Sequence, residues 1–302
     1  MPAPRVGPPP PLDAGAIEAL VRPALAEDVA GGDRTAQHAV PAAARAVATL
    51  VAKREGVAAG LAVFARVFEV ADPSAQVELL ARDGAAIRRG DVLARVTGSA
   101  RALLSAERTA LNFVQRLSGI ATLTARYVAL ATAAGMRPPR ILDTRKTTPL
   151  LRVLEKHAVR CGGGENHRFS LHDEVMVKEN HIELSGRPIE AVLADLRRAV
   201  GPGVRITSEA RDEREALAGV DGGADVVLLD NMTPAQMATL VPVLRARAAT
   251  RGRPLELEAS GGIDEHTLGD VVRSGVDRIS VGALTHSAPA LDLSLDLAPA
   301  AR

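Results

Sequence analysis

Between Arg140 and Glu183 the chain gathers the side chains that could grip an anion of several charges. The segment holds Lys146, Lys156 and Lys178, three of only four lysines among 37 basic residues. It also holds His157, His167, His172, His181 and the single cysteine, Cys161. A lysine ammonium is a compact, strongly hydrated point charge that the planar arginine fork does not replace. A chain that elsewhere uses arginine keeps lysine here. Asp143-Thr144-Arg145-Lys146 follows an apolar run, glycines stand at 162–164, and Asn166-His167-Arg168 comes next. Together these describe a cationic pocket.

Two other residue types stand at the same structural punctuation. Glu209 closes one apolar run and Asp230 closes another, VVLL. Carboxylates beside an anion site need a partner of their own; ribose hydroxyls or a Mg²⁺ bridging phosphates would serve. Ser260-Gly261-Gly262 and Val281-Gly282-Ala283 each lie between a strand pattern and a helix pattern, where glycine lets backbone N–H groups approach a phosphate. Neither turn says much alone, but two on consecutive late strands favour a phosphate site. There is no Ser/His/Asp order, no HExxH, and the histidine spacings match no zinc motif.

Periodicity supplies the elements that must position these groups. Short apolar strands are expected at 140–143, 174–178, 204–208, 225–229, 255–259 and 277–281. Helices are expected at 149–159, 188–199, 211–221, 234–248 and 264–274. Such alternation implies parallel pairing with crossovers, in a barrel or an open sheet. Every strand ends in a candidate site residue, which favours the barrel, where all strand C-termini meet on one face. The first third reads differently. A helix starts at Asp13, Gly31–Thr35 is a turn, strands are expected at 45–53, 57–63, 75–81 and 91–98, and a helix at 61–71. Residues 103–134 are helical, with Leu104, Leu111, Phe113, Val114 and Leu117 as the apolar stripe and a break into two helices at Ser118-Gly119. Arg108 and Arg116 stand in that stripe as snorkelling surface arginines.

Composition bounds the function. The 302 residues are 47% hydrophobic and 24% charged, enough for a core built from Ala, Val and Leu, since aromatics are 2%. A formal net charge of +1, no Trp and one Tyr give neither a basic field nor stacking platforms for nucleic acid. One cysteine allows no intrachain disulfide and suits a reducing compartment. No apolar run reaches the roughly 18 residues of a membrane span. Residues 1–11 read as a disordered Pro-rich leader without the apolar core of a signal peptide. A cytoplasmic protein is expected, with no membrane and no nucleic acid as partner.

In combination these residues resemble the quinolinate phosphoribosyltransferase family, over about Ala24 to Leu297. The markers are Glu27-Asp28, Gly32-Asp33 and Thr35, then Glu107-Arg108-Thr109-Ala110-Leu111-Asn112 and Leu117-Ser118-Gly119-Ile120-Ala121-Thr122. Asp143 to Thr147, Gly162 to Gly164 with Asn166-His167-Arg168, and Val177 to His181 follow. Leu228-Leu229-Asp230-Asn231, Ser260-Gly261-Gly262 and Gly282 to His286 complete them. The resemblance implies an α/β fold: an N-terminal α/β sandwich at 12–116, an incomplete parallel α/β barrel at 117–288, and a tail at 289–302 returning to the N-terminal domain. It implies that quinolinate and phosphoribosyl pyrophosphate give nicotinate mononucleotide, pyrophosphate and CO₂, with Mg²⁺, in NAD biosynthesis.

By matching position, Arg108, Arg145, His167, Arg168 and Lys178 would hold the quinolinate carboxylates, with Thr144 beside them. Lys146 would lie near the pyrophosphate, and Glu209 and Asp230 near the ribose and its metal. Ser260, Gly261, Gly262, Val281, Gly282 and Ala283 would meet the 5′-phosphate. Lys146, Lys178, Glu209 and Asp230 are the expected catalytic groups. The resemblance also implies a homodimer, or a larger assembly built from it, in which Arg108 completes the neighbour's site. One departure stands out: where the family shows Glu-Val-Glu, this chain has Thr207-Ser208-Glu209. The rival readings are a phosphoribosyltransferase for another acid, against which Asn166-His167-Arg168 and Lys178 argue, and a non-catalytic barrel that senses a phosphorylated metabolite.

Overall fold

A computed structural model describes Pro9, residues 11–135 and residues 137–300. The leader expected over 1–11 lies outside the described residues except for Pro9 and Pro11. The chain divides into two compact units. The first contains the chain up to Arg126, Thr147–Gly163 and the chain from Leu284 onward; the second contains Tyr127–Lys146 and Gly164–Ala283.

In the first unit, α1 (Ala14–Val29) begins where Asp13 accepts from the Ala16 N–H. α2 (Arg34–Ala39) starts inside the turn expected at 31–35, because Asp33 caps it through the Ala36 N–H. β1 (Arg45–Ala52) pairs antiparallel with β5 (Val92–Ser99) on one side and with β12 (Leu293–Pro299) on the other; β3 (Gln76–Leu79) completes the order β12-β1-β5-β3. The strand expected at 57–63 is only β2 (Gly56–Val57), paired with β4 (Ala86–Ile87). It stops because α3 (Leu61–Ala71) takes over, buried along Leu61, Phe64 and Phe68. Asp83 caps α3 by accepting the Gly60 and Leu61 N–H groups, and it holds His157 Nε2 at 2.8 Å.

α4 (Ala100–Ala134) is one helix, and the break expected at Ser118-Gly119 does not occur. The pair serves packing instead. Ser118 Oγ accepts from Ala59 N–H, and a Cβ on Gly119 would stand 2.0 Å from the Pro289 carbonyl oxygen. Leu103, not Leu104, belongs to the buried stripe, with Leu111, Val114 and Leu117. By length and composition α4 could cross a membrane, contrary to the sequence expectation. Its buried stripe reads as that of a core helix. Arg116 does not snorkel. It pairs at 3.0 Å with Glu155, which is fully buried, and donates to the Ala288 and Thr285 carbonyls. α5 (Arg152–Cys161) carries Glu155.

The second unit is a six-stranded parallel sheet. It contains β6 (Arg140–Leu142), β7 (Val175–Val177), β8 (Ile206–Ala210), β9 (Val226–Asp230), β10 (Glu256–Ser260) and β11 (Arg278–Ser280), in the order β6-β11-β10-β9-β8-β7. The expected incomplete barrel is thus present, with β6 and β7 as the two edges. Val226 to Leu229 are buried without alternation, as in strands covered on both faces. α7 (Ile189–Val200), α8 (Glu213–Asp221), α9 (Pro234–Thr250) and α10 (Leu268–Arg273) are the returns. Two short helices had no periodic signal: α6 (Glu179–Ser185) and α11 (Ala283–His286).

Replacing Gly119 by Ala adds helix propensity of about 1 kcal/mol. The clash with the Pro289 carbonyl outweighs it, because backbone must move. Gly119→Ala should lower unfolding free energy by about 2 kcal/mol in denaturant titration. Equal or greater stability would refute the close-packing role.

Candidate active site

Site residues of the second unit stand at or beyond the C-terminal ends of its strands. β6 leads into Asp143 and then Thr144, Arg145 and Lys146. Thr144 Oγ1 accepts the Lys146 N–H at 3.0 Å, which shapes the turn. Asp143 is fully buried and does not face ligand. It accepts the His167 N–H at 2.9 Å and the Asn166 side-chain amide. Glu165 adds backbone bonds to β6: its N–H donates to Ile141 O, and its carbonyl accepts from Asp143 N–H. The segment carrying Asn166-His167-Arg168 is therefore laid along β6 as though it were a strand.

The Arg168 N–H donates to His167 Nδ1 at 2.7 Å, and its guanidinium donates to the Glu174 carbonyl at 3.1 Å. Burial first, then the charge of Arg145, lowers the Arg168 pKa. A guanidinium whose charge a neighbouring arginine disfavours suits an anion beside it. Asp173 closes the next loop, accepting the Phe169 and Ser170 N–H groups at 2.6 and 2.7 Å. Burial raises its pKa, but these bonds outweigh that and hold it down to about 2. His167 itself is 7% exposed, and its Nε2 faces Glu258 Oε1 at 3.3 Å. Its ring is turned into the protein, not toward an open ligand face.

Lys178 ends β7 and caps α6, its N–H donating to His181 Nδ1 at 2.9 Å. Its ammonium pairs with Glu209, at the end of β8. Burial, then the Glu179 carboxyl, pushes Glu209 up to about 7 against the pull of Lys178, and Asp230 adds to the rise. Ser208 packs 3.2 Å from where a Gly219 side chain would begin, so it faces α8. By strand alternation Thr207 and Glu209 face the opposite side. The departure at Thr207 leaves a fully buried hydroxyl with no hydrogen-bond partner among the described residues.

Asp230 is held at the end of β9 by the Asn231 amide at 2.8 Å. Asn231 adopts φ 55°, and its N–H reaches the Ser260 carbonyl. The next turn fits around it: Gly261 has φ 97°, and a Cβ there would stand 2.2 Å from Asn231 Oδ1. Glycine is required at 261 by both conformation and space. Gly262 also has positive φ. Ser260, Gly261 and Gly262 thus leave β10 as a left-handed turn, and Val281, Gly282 and Ala283 leave β11 into α11. Asp264 faces its own turn, accepting the His266 and Thr267 N–H groups at 2.9 Å.

Arg108 belongs to the first unit. It is exposed and lines a cavity of about 320 Å³ with Glu27, Asp28, Asn112 and Arg116. Asp83, His157 and Cys161 of that unit are near enough to share a metal ion. Asp83 already takes two backbone N–H groups and His157. Burial and the Asp83 charge push the thiol well above its ordinary range, away from the thiolate a metal needs. The cluster reads as a helix cap with an anchored histidine. Sequence reasoning named Asp143 as a strand-end residue of the site but missed Glu258 and Arg278 as its supports. The only signal was charge inside apolar strand runs.

Comparison with known proteins gives a consistent result. Residues 33–118 match the family model described as quinolinate phosphoribosyl transferase, N-terminal domain, and residues 120–296 match its C-terminal domain. A Bacillus subtilis protein named probable nicotinate-nucleotide pyrophosphorylase [carboxylating] is 41% identical over 93% of each chain. A Synechocystis protein of the same name is 42% identical over 90% of each. The crystal structure of NadC from Streptococcus pyogenes superposes with a TM-score of 0.88 at 37% identity, covering 97% of this chain and all of that one. With both halves matched and relatives of about 40% identity along nearly the whole length, the chain belongs to the quinolinate phosphoribosyl transferase family.

Proposed function

We infer that this chain is a decarboxylating quinolinate phosphoribosyltransferase, transferring phosphoribose from phosphoribosyl pyrophosphate to quinolinate in NAD biosynthesis. The observation that carries the reading is the pairing of Arg145 and Arg168, the first disfavouring the charge of the second, with Lys178, Glu209 and Asp230 on the strand ends of the same unit. Arg145, Arg168 and Lys178 would take the two quinolinate carboxylates, with Thr144 beside them and His167 beneath. Lys146 would meet the pyrophosphate. The turns at Ser260–Gly262 and Val281–Ala283 would take the 5′-phosphate.

The chemistry asks for orientation and electrostatics more than for a nucleophile. The pyridine nitrogen attacks the anomeric carbon as pyrophosphate departs, through an oxocarbenium-like state. Glu209 and Asp230 would hold the ribose hydroxyls. Once the ring nitrogen is quaternary, loss of CO₂ from the adjacent carbon leaves a carbanion which that nitrogen stabilises. Burial first, then the hydrogen bond from the Glu179 carboxyl and the charge of Asp230, raise Glu209, and hard oxygen donors of this kind fit Mg²⁺. Glu209 and Asp230 would hold it, and it would offset the charge of the departing pyrophosphate. We propose a cytoplasmic homodimer, or a larger assembly of dimers, in which Arg108 serves the neighbour's site. The exposure of Arg108 on α4 supports this.

Incubation with both substrates and Mg²⁺ should release CO₂ and pyrophosphate in equal amounts; pyrophosphate without CO₂ would favour a different acid as acceptor. Arg168→Ala and Lys178→Ala should each raise the KM for quinolinate strongly, because a desolvated carboxylate loses a partner worth several kcal/mol. The KM for phosphoribosyl pyrophosphate should change little. The reverse pattern, read by steady-state kinetics, moves both residues to the other subsite.

Sharing of Arg108 is tested by co-refolding inactive Arg108→Ala with inactive Lys178→Ala. One site of a mixed dimer lacks both residues and the other keeps both. Random mixing should regain about one quarter of wild-type activity, since half the dimers are mixed and half their sites intact. Mixed dimers that stay inactive would assign Arg108 to its own chain.

Glu209 also couples the site to stability. Its folded pKa, about 7, lies above the ordinary 4.5. Its contribution to stability is therefore present below 4.5 and lost as pH rises through 7. Glu209→Gln should raise the Tm over wild type near pH 8 and scarcely alter it near pH 5, while lowering turnover. Thermal melts at the two pH values decide it, and equal shifts at both would remove the charge as the cause.

A further inference from the structure

Under the cationic cluster lies a buried ion pair that the reaction does not touch. Glu258 on β10 and Arg278 on β11 stand opposite each other in register, 0% and 2% exposed, and Arg278 Nε donates to Glu258 Oε2 at 2.6 Å. Burial raises the Glu258 pKa, but the nearby His167 and the charge of Arg278 outweigh it, so the carboxyl stays ionised. Its other oxygen, Oε1, stands 3.3 Å from His167 Nε2 but off hydrogen-bond geometry, and has no hydrogen-bond partner among the described residues. Arg278 Nη2 stands 3.3 Å from the same nitrogen.

These contacts make competing demands on one imidazole. His167 Nδ1 accepts the Arg168 N–H, so it carries a lone pair and the ring proton sits on Nε2. Arg278 alone would favour the opposite tautomer, since a bare Nε2 would accept from its guanidinium. Glu258 Oε1, a buried acceptor that lacks a hydrogen bond, is the neighbouring group that an Nε2 proton would satisfy. In the opposite tautomer Nδ1–H would point at the Arg168 N–H, and two donors would face each other. We propose that Glu258 is a positioning residue for the anion site. It selects the Nε2–H tautomer of His167 and thereby holds the Arg168 main chain, while Arg278 binds the other carboxylate oxygen. The proposal rests on Arg168 being a quinolinate ligand.

Three variants separate positioning from mere packing. In Glu258→Gln the amide must turn its carbonyl to Arg278, leaving its NH₂ toward His167, so the tautomer should flip. The KM for quinolinate should rise about tenfold or more, the range for groups that orient a ligating side chain, with the KM for phosphoribosyl pyrophosphate unchanged. In Glu258→Gln/Arg278→Met the carbonyl is released to accept from His167, and the quinolinate KM should return toward wild type. In Glu258→Leu/Arg278→Met no buried charge is left unpaired, so the Tm should recover, yet the quinolinate KM should stay high. Ring ¹⁵N spectra of His167, assigned with His167→Gln, should show Nε2–H in the wild type and its loss in Glu258→Gln. A quinolinate KM that merely follows the Tm across the series, or KM values that rise alike for both substrates, would overturn the proposal. Arg168→Ala with an unchanged quinolinate KM would sink the ligand assignment instead. The ¹⁵N spectra need no substrate and would still decide whether Glu258 governs His167.

Discussion

Ionised groups held away from water set the terms of the second unit. Asp143 and Glu258 are fully buried and Arg278 almost so. An unpartnered charge there costs several kcal/mol, so each compels its surroundings to supply a partner. Asp143 draws in the Asn166 amide and the His167 N–H; Glu258 draws in Arg278 and His167. The segment that carries Arg168 has almost no apolar anchor of its own. It is fixed because buried Asp143 is satisfied by it, with Glu258 standing against the His167 ring.

This arrangement also resolves an incomplete barrel. β6 is a sheet edge, and an exposed edge leaves unpaired backbone groups. Residues around Glu165 bond to it in parallel fashion without forming a strand. That contact covers part of the edge and delivers Asn166-His167-Arg168 beside the turn bearing Arg145. The contact lets Asn166 bond buried Asp143 and His167 face Glu258 in succession, without the strict alternation of a regular strand.

At the strand ends the protein accepts local repulsion. Arg145 disfavours the charge on Arg168, and Glu179 and Asp230 disfavour the charge on Glu209. Burial is the larger cause in both cases, so each cluster holds charge where water is scarce. The left-handed turn at Gly261 belongs to the same economy of space: Asn231 occupies the room a side chain would need, so backbone is brought against the end of β9.

The sequence by itself determined the alternation of strands and helices, the family, and the residues on the strand ends. Each of these depends on local signals: apolar runs of about five, a cap such as Asp13, and polar residues just after an apolar run. It misjudged Ser118-Gly119 because a helix-breaking pair and a close-packing pair are the same letters; the Pro289 carbonyl that distinguishes them is 170 residues away. It took Arg116 for a surface residue because its partner Glu155 lies in another element. It could name His167 but not which way the ring faces, since that depends on Glu258 and Arg278, about a hundred residues further on. Tertiary structure alone decided which charges are buried in pairs and which stand at the strand ends, because desolvation is a property of the packed environment and not of the residue.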